Sequence, residues 1–155
     1  MNNHNNRKKI DKVWGYEDII YNGDYCGKQL VFNANSTLSI HFHSVKKETF
    51  MVSQGEIELT VYDNPEIDQY VVSWENWNNG LPNLPKHLEK PQKFLLKAND
   101  SFNIPVGMRH TITSTQPSVI IEFSTHDDPE DSYRILPSFS LVINPIHQPI
   151  AKSYN

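Results

Sequence analysis

Several things that would direct the reading elsewhere are scarce in this chain. Cysteine is represented by Cys26 alone among 155 residues. No intramolecular disulfide can form, which points to a reducing compartment and a cytoplasmic protein. The opening "MNNHNNRKK" has no apolar stretch of the kind that a secretory signal needs. No apolar run approaches the roughly 18 residues of a membrane span, so no membrane partner is expected. Lys and Arg number 14 against 18 Asp and Glu, for a formal net charge of −4. With no basic stripe, nucleic acid is not an expected partner. No repeat of fixed period is present, and helical periodicity is almost absent.

What is present suits an all-β domain. Ten Pro, seven Tyr, seven Phe and three Trp accompany an apolar fraction of only 37%. Short strand-like segments are punctuated by turn residues. "VWGYEDIIYNGDY" (Val13–Tyr25) is an aromatic strand-like stretch that ends in an Asn-Gly turn signal. "KQLVF" (Lys28–Phe32) and "LSIHFH" read as strands, and "SVKK" as the turn that sends "ETFMVSQ" back antiparallel. In "EIELTVYD", Ile57, Leu59 and Val61 share one face, and Glu56, Glu58 and Thr60 the other. "KFLLKAND", "SFNIPVGMRHTITS" and "SVIIEFST" supply further strands. The expected fold is a single-domain β-barrel or jelly roll over residues 11–136. It is preceded by a disordered polar tail (1–10) and interrupted by a long Pro- and Trp-containing excursion (64–92). It is followed by a C-terminal extension (137–155) packing on the barrel edge or on a second subunit.

The chemistry concentrates in "SIHFHSVKKETFMVSQG". Residues two apart on a strand share a face, so His41 and His43 point the same way. A hairpin through "SVKK" brings Glu48 back beside His43. "IPVGMRH" supplies His110 after a Pro-x-Gly turn. Three imidazoles and a carboxylate suit a divalent metal and leave positions open for water or substrate. The donor set does not choose between Zn, Mn, Fe, Ni and Co.

"HFHSVKKE", with Gly55 after six further residues, resembles the first cupin motif. "NDSFNIPVGMRHTITS" resembles the second, with Pro105, Gly107 and His110 in place. Asn99 stands where the second motif usually begins with Gly, and Ser114 where it ends with Asn; Asn tolerates positive φ better than most residues. The resemblance implies a cupin jelly-roll barrel, often dimeric, with metal bound inside by His41, His43, Glu48 and His110. "VWGYEDIIYNGDYCGKQLVF" and "IIEFSTHDDPEDSYRI" extend it towards the sugar-isomerase-like small cupins of the mannose-6-phosphate-isomerase and lyxose-isomerase types. That narrower resemblance implies a homodimeric, metal-dependent aldose–ketose isomerase acting on a sugar or sugar phosphate. Two other classes stay open: a carbohydrate- or nucleotide-sugar-binding module without turnover, and an iron-dependent oxygenase.

Lys28 and Glu122 are the candidates for moving a proton, if their strands turn them inward. Each has a plainer reading, as a snorkelling lysine and as an outward charge on a half-exposed strand. Alternation points Arg109 outward into solvent. Lys46 and Lys47 read as turn residues in water. Asp127, Asp128, Glu130 and Asp131 read as an exposed acidic loop with Arg134 as a local partner. Trp74 and Trp77 suit either sugar stacking or anchoring of their loop. Cys26 shows no reactive signature, and His4, His87, His126 and His147 have no assigned role.

Overall fold

The computed structural model describes residues 7–62, 91–136, 138–144 and 147–153. The strands run β1 (Lys8–Lys12), β2 (Gly15–Asn22), β3 (Tyr25–Phe32), β4 (Ser36–Thr37), β5 (Ile40–Phe42), β6 (Glu48–Gln54) and β7 (Glu56–Tyr62). They continue as β8 (Gln92–Lys97), β9 (Ser101–Ile104), β10 (Arg109–Ser114), β11 (Ser118–Thr125), β12 (Tyr133–Leu136), β13 (Phe139–Asn144) and β14 (His147–Ser153). Strand β1 begins within the segment read from sequence as a disordered tail, because it pairs along β2 from Lys8 to Lys12. The 64–92 excursion lies outside the described residues except at its C-terminal end, where β8 begins at Gln92. Trp74 and Trp77 lie outside them altogether.

Two antiparallel sheets face each other, as a jelly roll requires. One has the order β1-β2-β3-β11-β6-β9, and the other β12-β5-β10-β4-β13-β14, with β7 joining β10 and β8. Their inward positions interlock. Leu30, Phe32, Phe50, Val52 and Ile120 from the first sheet meet Ile57, Leu59, Val61 and Ile112 from the second. Each side chain of this size contributes roughly 1.5–3 kcal/mol when fully buried. Trp14 closes this end by stacking on Phe32 at 4.5 Å between ring centroids.

One expectation fails in a way that matters for the site. The segment "SVKK" does not make a hairpin. Strand β5 pairs with β10 and β12, whereas β6 pairs with β11 and β9. The chain therefore crosses from one sheet to the other between His43 and Glu48. These two side chains face each other across the barrel interior and not along a ladder.

The turns fit the residues that make them. Gly107 has φ +80°, which its lack of a Cβ permits, and its N–H donates to the His43 carbonyl at 2.8 Å. Asn99, in place of the usual glycine, does adopt positive φ, at 76°. At Gly55 (φ +80°) an added Cβ would fall 2.4 Å from Ser118 Oγ.

Arg109 needs a correction. Alternation does send it away from the cavity, but it is fully buried, with its guanidinium 5.8 Å from the Phe42 ring centroid. The outer face of β5 is covered by a second apolar cluster of Ile40, Phe42, Tyr62 and Ile135, with Tyr133 stacked on Phe42. A strand's own alternation gives direction only and carries no sign of this added layer.

Candidate metal centre

Register alone aims the key side chains at one space. In an antiparallel sheet, residues directly opposite share a face. His41 lies opposite His110, and Lys28 lies opposite Glu122. Glu122 in turn lies opposite Phe50, two residues beyond Glu48 on the same face of β6. His41, His43 and His110 thus enter from one sheet or its edge, and Glu48, Glu122 and Lys28 from the other. All six are buried.

His41, His43 and Glu48 each offer a ligand atom, and these atoms lie within 4.8 Å of one another. His110 stands beside them. Its Nε2 is 3.7 Å from Glu48 Oε1, and its ring is 4.5 Å from that of His41, centroid to centroid. The backbone sets the ring orientations. Nδ1 of His41 meets the Ser39 carbonyl at 2.9 Å, Nδ1 of His43 the Asp131 carbonyl at 2.7 Å, and Nδ1 of His110 the Met108 carbonyl at 2.9 Å. A carbonyl only accepts, so each Nδ1 donates. That leaves each Nε2 as the atom available to a metal, which is how metal-binding histidines are ordinarily oriented.

Two buried atoms bear on whether this donor set suits a cation. Glu48 Oε1 and His110 Nε2 have no hydrogen-bond partner although no solvent reaches them. Orphaned polar atoms in such a place cost about 1–3 kcal/mol each, and a cation between them would satisfy both. Burial holds the His41 and His110 rings below the usual imidazole range, favouring the neutral form that binds metal. Burial pushes the Glu48 carboxyl up, but the His43 ring, with Nε2 3.0 Å from Oε1, and the charge of Lys46 outweigh it. The group is held well below the usual carboxylate range.

His41, His43 and Glu48 line a cavity of about 930 Å³. Next to them is a compact ionic array. Lys46 Nζ is 2.6 Å from Glu122 Oε1, 2.8 Å from Asp127 Oδ1 and 3.5 Å from Glu48 Oε2. Lys28 Nζ is 2.8 Å from Asp127 Oδ2, 3.7 Å from Glu17 Oε2 and 3.9 Å from Glu122 Oε1. Burial would lower both lysines. For Lys28 the charges of Glu122, Glu17 and Asp127 outweigh it, and for Lys46 those of Glu122, Glu48 and Asp127, so both stay protonated. Glu122 moves the other way. Burial and the Glu48 charge raise it, against the pull of Lys46 and Lys28.

Lys28 and Glu122 are therefore cavity residues, and their surface readings fall away. Three side chains with plainer readings from sequence also belong here. Lys46 is not a solvated turn residue; only 3% of it is exposed. It lies in the crossover before β6, where no strand period marks its direction. Asp127 is not simply part of an acidic loop, because it bridges the two buried lysines. Asp131 is buried too. Its carboxylate accepts from the backbone N–H groups of Ser44, Val45 and Lys46 and from Ser44 Oγ, fixing the crossover between sheets. Those hydrogen bonds outweigh burial and keep its carboxyl below the usual range. Nothing local in "HDDPEDS" separates these two aspartates from their neighbours.

No family model matches the sequence, and no curated protein matches it. Solved structures do match over most of the chain. The capsular polysaccharide assembling protein CapF from Staphylococcus aureus superposes with a TM-score of 0.62 at 14% identity, over 87% of this chain and 33% of that one. KdgF from Halomonas sp. gives 0.56 at 14% identity, over 84% of this chain and 94% of that one. Oxalate decarboxylase from Bacillus subtilis gives 0.62 at 9% identity, over 84% of this chain and 30% of that one. This chain thus spans about a third of the CapF and oxalate decarboxylase chains and nearly the whole of KdgF. Opposed antiparallel sheets, a His-His-Glu cradle at the crossover between them and these likenesses agree: the chain has the cupin jelly-roll fold.

Proposed function

We propose that the protein is a metal-dependent aldose–ketose isomerase that interconverts sugars through an enediol. The observation that carries this reading is Glu122. It is a buried carboxylate on the wall of the metal-ligand cavity, 2.6 Å from Lys46 Nζ and opposite Lys28 in the sheet. His41, His43, Glu48 and His110 would hold the divalent ion. When bound, that ion supplies charge stabilisation to the oxygens of an enediol. Zn, Mn, Fe, Ni and Co all fit the donor set. The Bacillus subtilis oxalate decarboxylase holds Mn(II) centres, which makes manganese a sensible first choice for reconstitution.

The chain's own groups account for the proton. Isomerisation removes a proton from the carbon beside the carbonyl and returns one to the former carbonyl carbon. Burial raises the Glu122 carboxyl and so strengthens it as a base towards neutral pH. Lys46 and Lys28, both held protonated, orient Glu122 and can donate hydrogen bonds to substrate hydroxyls. Glu48 is the weaker base of the two, because it is held ionised among histidines. The cytoplasmic setting and the homodimer are parts of the same proposal. The free, buried Cys26 supports the first, and the family resemblance supports the second.

A second reading has its own support. Lys46, Glu122, Asp127 and Lys28 already satisfy one another, and such an array also suits a binding module that turns nothing over. The test is solvent deuterium entering a sugar at the carbon next to the carbonyl, screened across free sugars and sugar phosphates on metal-reconstituted protein. Isomerisation predicts exchange that Glu122→Gln abolishes while metal stays bound. Saturable binding with no exchange would leave the binding module.

A further inference from the structure

We propose that the ligand of this cavity is an uncharged polyol, a free sugar and not its phosphate, and that Glu17 and Asp127 select for it. The inference rests on the reading of the cavity as a metal-assisted sugar site and names which sugars enter.

The argument is a charge count. Around the two buried lysines, Glu17, Glu48, Glu122 and Asp127 carry four negative charges against the two positive ones of Lys28 and Lys46. Over the whole lining, Asp11 and Asp128 add two negative charges and Lys8, Lys12 and Arg134 three positive ones, so the sum is −1, and a dication on the histidines and Glu48 would bring it to +1. Neither lysine is free to receive an anion, since each Nζ lies within 4 Å of three carboxylates. A phosphate dianion would enter a space whose buried cations are each already held by carboxylates, and would meet those carboxylates beside them. A hydroxyl faces no such conflict. It donates to a carboxylate and accepts from an ammonium, and the array presents both along one wall.

The rim does not reverse this. Lys12 stands 3.6 Å from Glu17, a carboxylate that it shares with Lys28, while Lys8 and Arg134 are exposed, where water and salt screen them. The site is also more than a group of acidic side chains. Glu122 Oε1, Glu48 Oε1 and His110 Nε2 are buried without hydrogen-bond partners. Glu122 Oε1 keeps its 2.6 Å ion pair to Lys46, but the approach is not aligned as a hydrogen bond, so it can still accept from a ligand hydroxyl.

The experiment is equilibrium binding by titration calorimetry to the full, manganese-loaded chain. The probes are lyxose, xylulose, mannose and fructose, each beside its 5- or 6-phosphate. At least one free sugar should saturate the site and bind about tenfold or more tightly than its own phosphate. In Glu17→Gln the phosphate should gain about fivefold or more, because one repelling charge is gone. Phosphate binding as tight as that of the free sugar in the wild type overturns the proposal. So does the absence of saturable binding by any free sugar, and an unchanged gap in the variant removes Glu17 from it. Deuterium exchange in the same samples separates this from the isomerase reading. Free-sugar binding without exchange sinks the reaction and keeps the ligand class. Exchange on phosphates alone keeps the reaction and sinks the ligand class.

Discussion

At one end of the barrel interior, the inward positions of β10, β6, β11 and β3 are His110, Glu48, Glu122 and Lys28. Two residues along each of the same strands they are Ile112, Phe50, Ile120 and Leu30, all in the apolar core. The two ends share a backbone and a sheet register and differ only in which side chains occupy the inward face. The apolar end excludes water and sets the register. That register then carries the polar end into place, because a slip of one residue would turn every ligand outward. The polar end contributes little to folding, and its buried charges cost desolvation that only pairing, or a metal, offsets. Stability and chemistry are separated here along single strands, at a spacing of about 7 Å.

Matched substitutions on one strand test that separation. Ile112→Ala should cost about 2–5 kcal/mol in urea unfolding, the usual range for truncating a fully buried aliphatic. Metal affinity of the molecules that remain folded should hardly change. If affinity fell in step with stability, the two ends would not be independent.

His110→Ala, two residues away, should do the reverse. We expect metal affinity to drop by about 100-fold or more, since even loss of a partner to a ligand costs 10–100-fold. In the wild type, metal at about 100 times its dissociation constant should raise unfolding free energy by roughly 2.7 kcal/mol, and the variant should lose that increment. An increment that survived in His110→Ala would place the ion elsewhere.

The ionic array makes a smaller contribution, and pH reveals it. Burial raises the Asp127 carboxyl, but Lys46 and Lys28 outweigh it and bring it down to about 2 from an ordinary 3.8. A depressed carboxylate stabilises the fold above its unfolded pKa, and the benefit is lost as pH falls from about 4 to about 2. The amount is on the order of 1–2 kcal/mol once solvent screening is allowed for. Asp127→Asn should flatten that part of the acid-unfolding profile and leave neutral-pH metal binding intact. An unchanged acid limb would show that the carboxylate is not matched by the lysines in solution.

The smallest effect belongs to a turn on the apolar side. Asn99 holds φ at 76°, and its N–H donates to the Val52 carbonyl at 2.8 Å. Asn99→Gly should gain about 0.5 kcal/mol, because glycine adopts this region without penalty. A loss in thermal unfolding would mean that the asparagine side chain is needed where it stands.

How far the sequence could take the reader follows from the same geometry. Period-two alternation and turn residues located most strands. They also put His41 and His43 on one face and gave Glu48 its place at the head of β6. Long-range register was not available from such local signals, so the crossing between His43 and Glu48 looked like a hairpin. Arg109 looked solvated because its cover comes from β12, more than twenty residues later. Lys46 was out of reach of the two-residue rule, because it lies in the crossover and not on a strand. Asp127 was too, because its partners on β3 and in the crossover are 99 and 81 residues away.

Asp131 leads to a point about the order of events during synthesis. Its carboxylate gathers the 44–46 backbone and its carbonyl orients His43, yet it follows the last of the four candidate ligands by 21 positions. A ribosome-bound chain that has exposed only as far as β10 carries all four donors but lacks the residue that fixes the His43 ring and the crossover leading to Glu48. The cradle is therefore completed only once Asp131 has emerged.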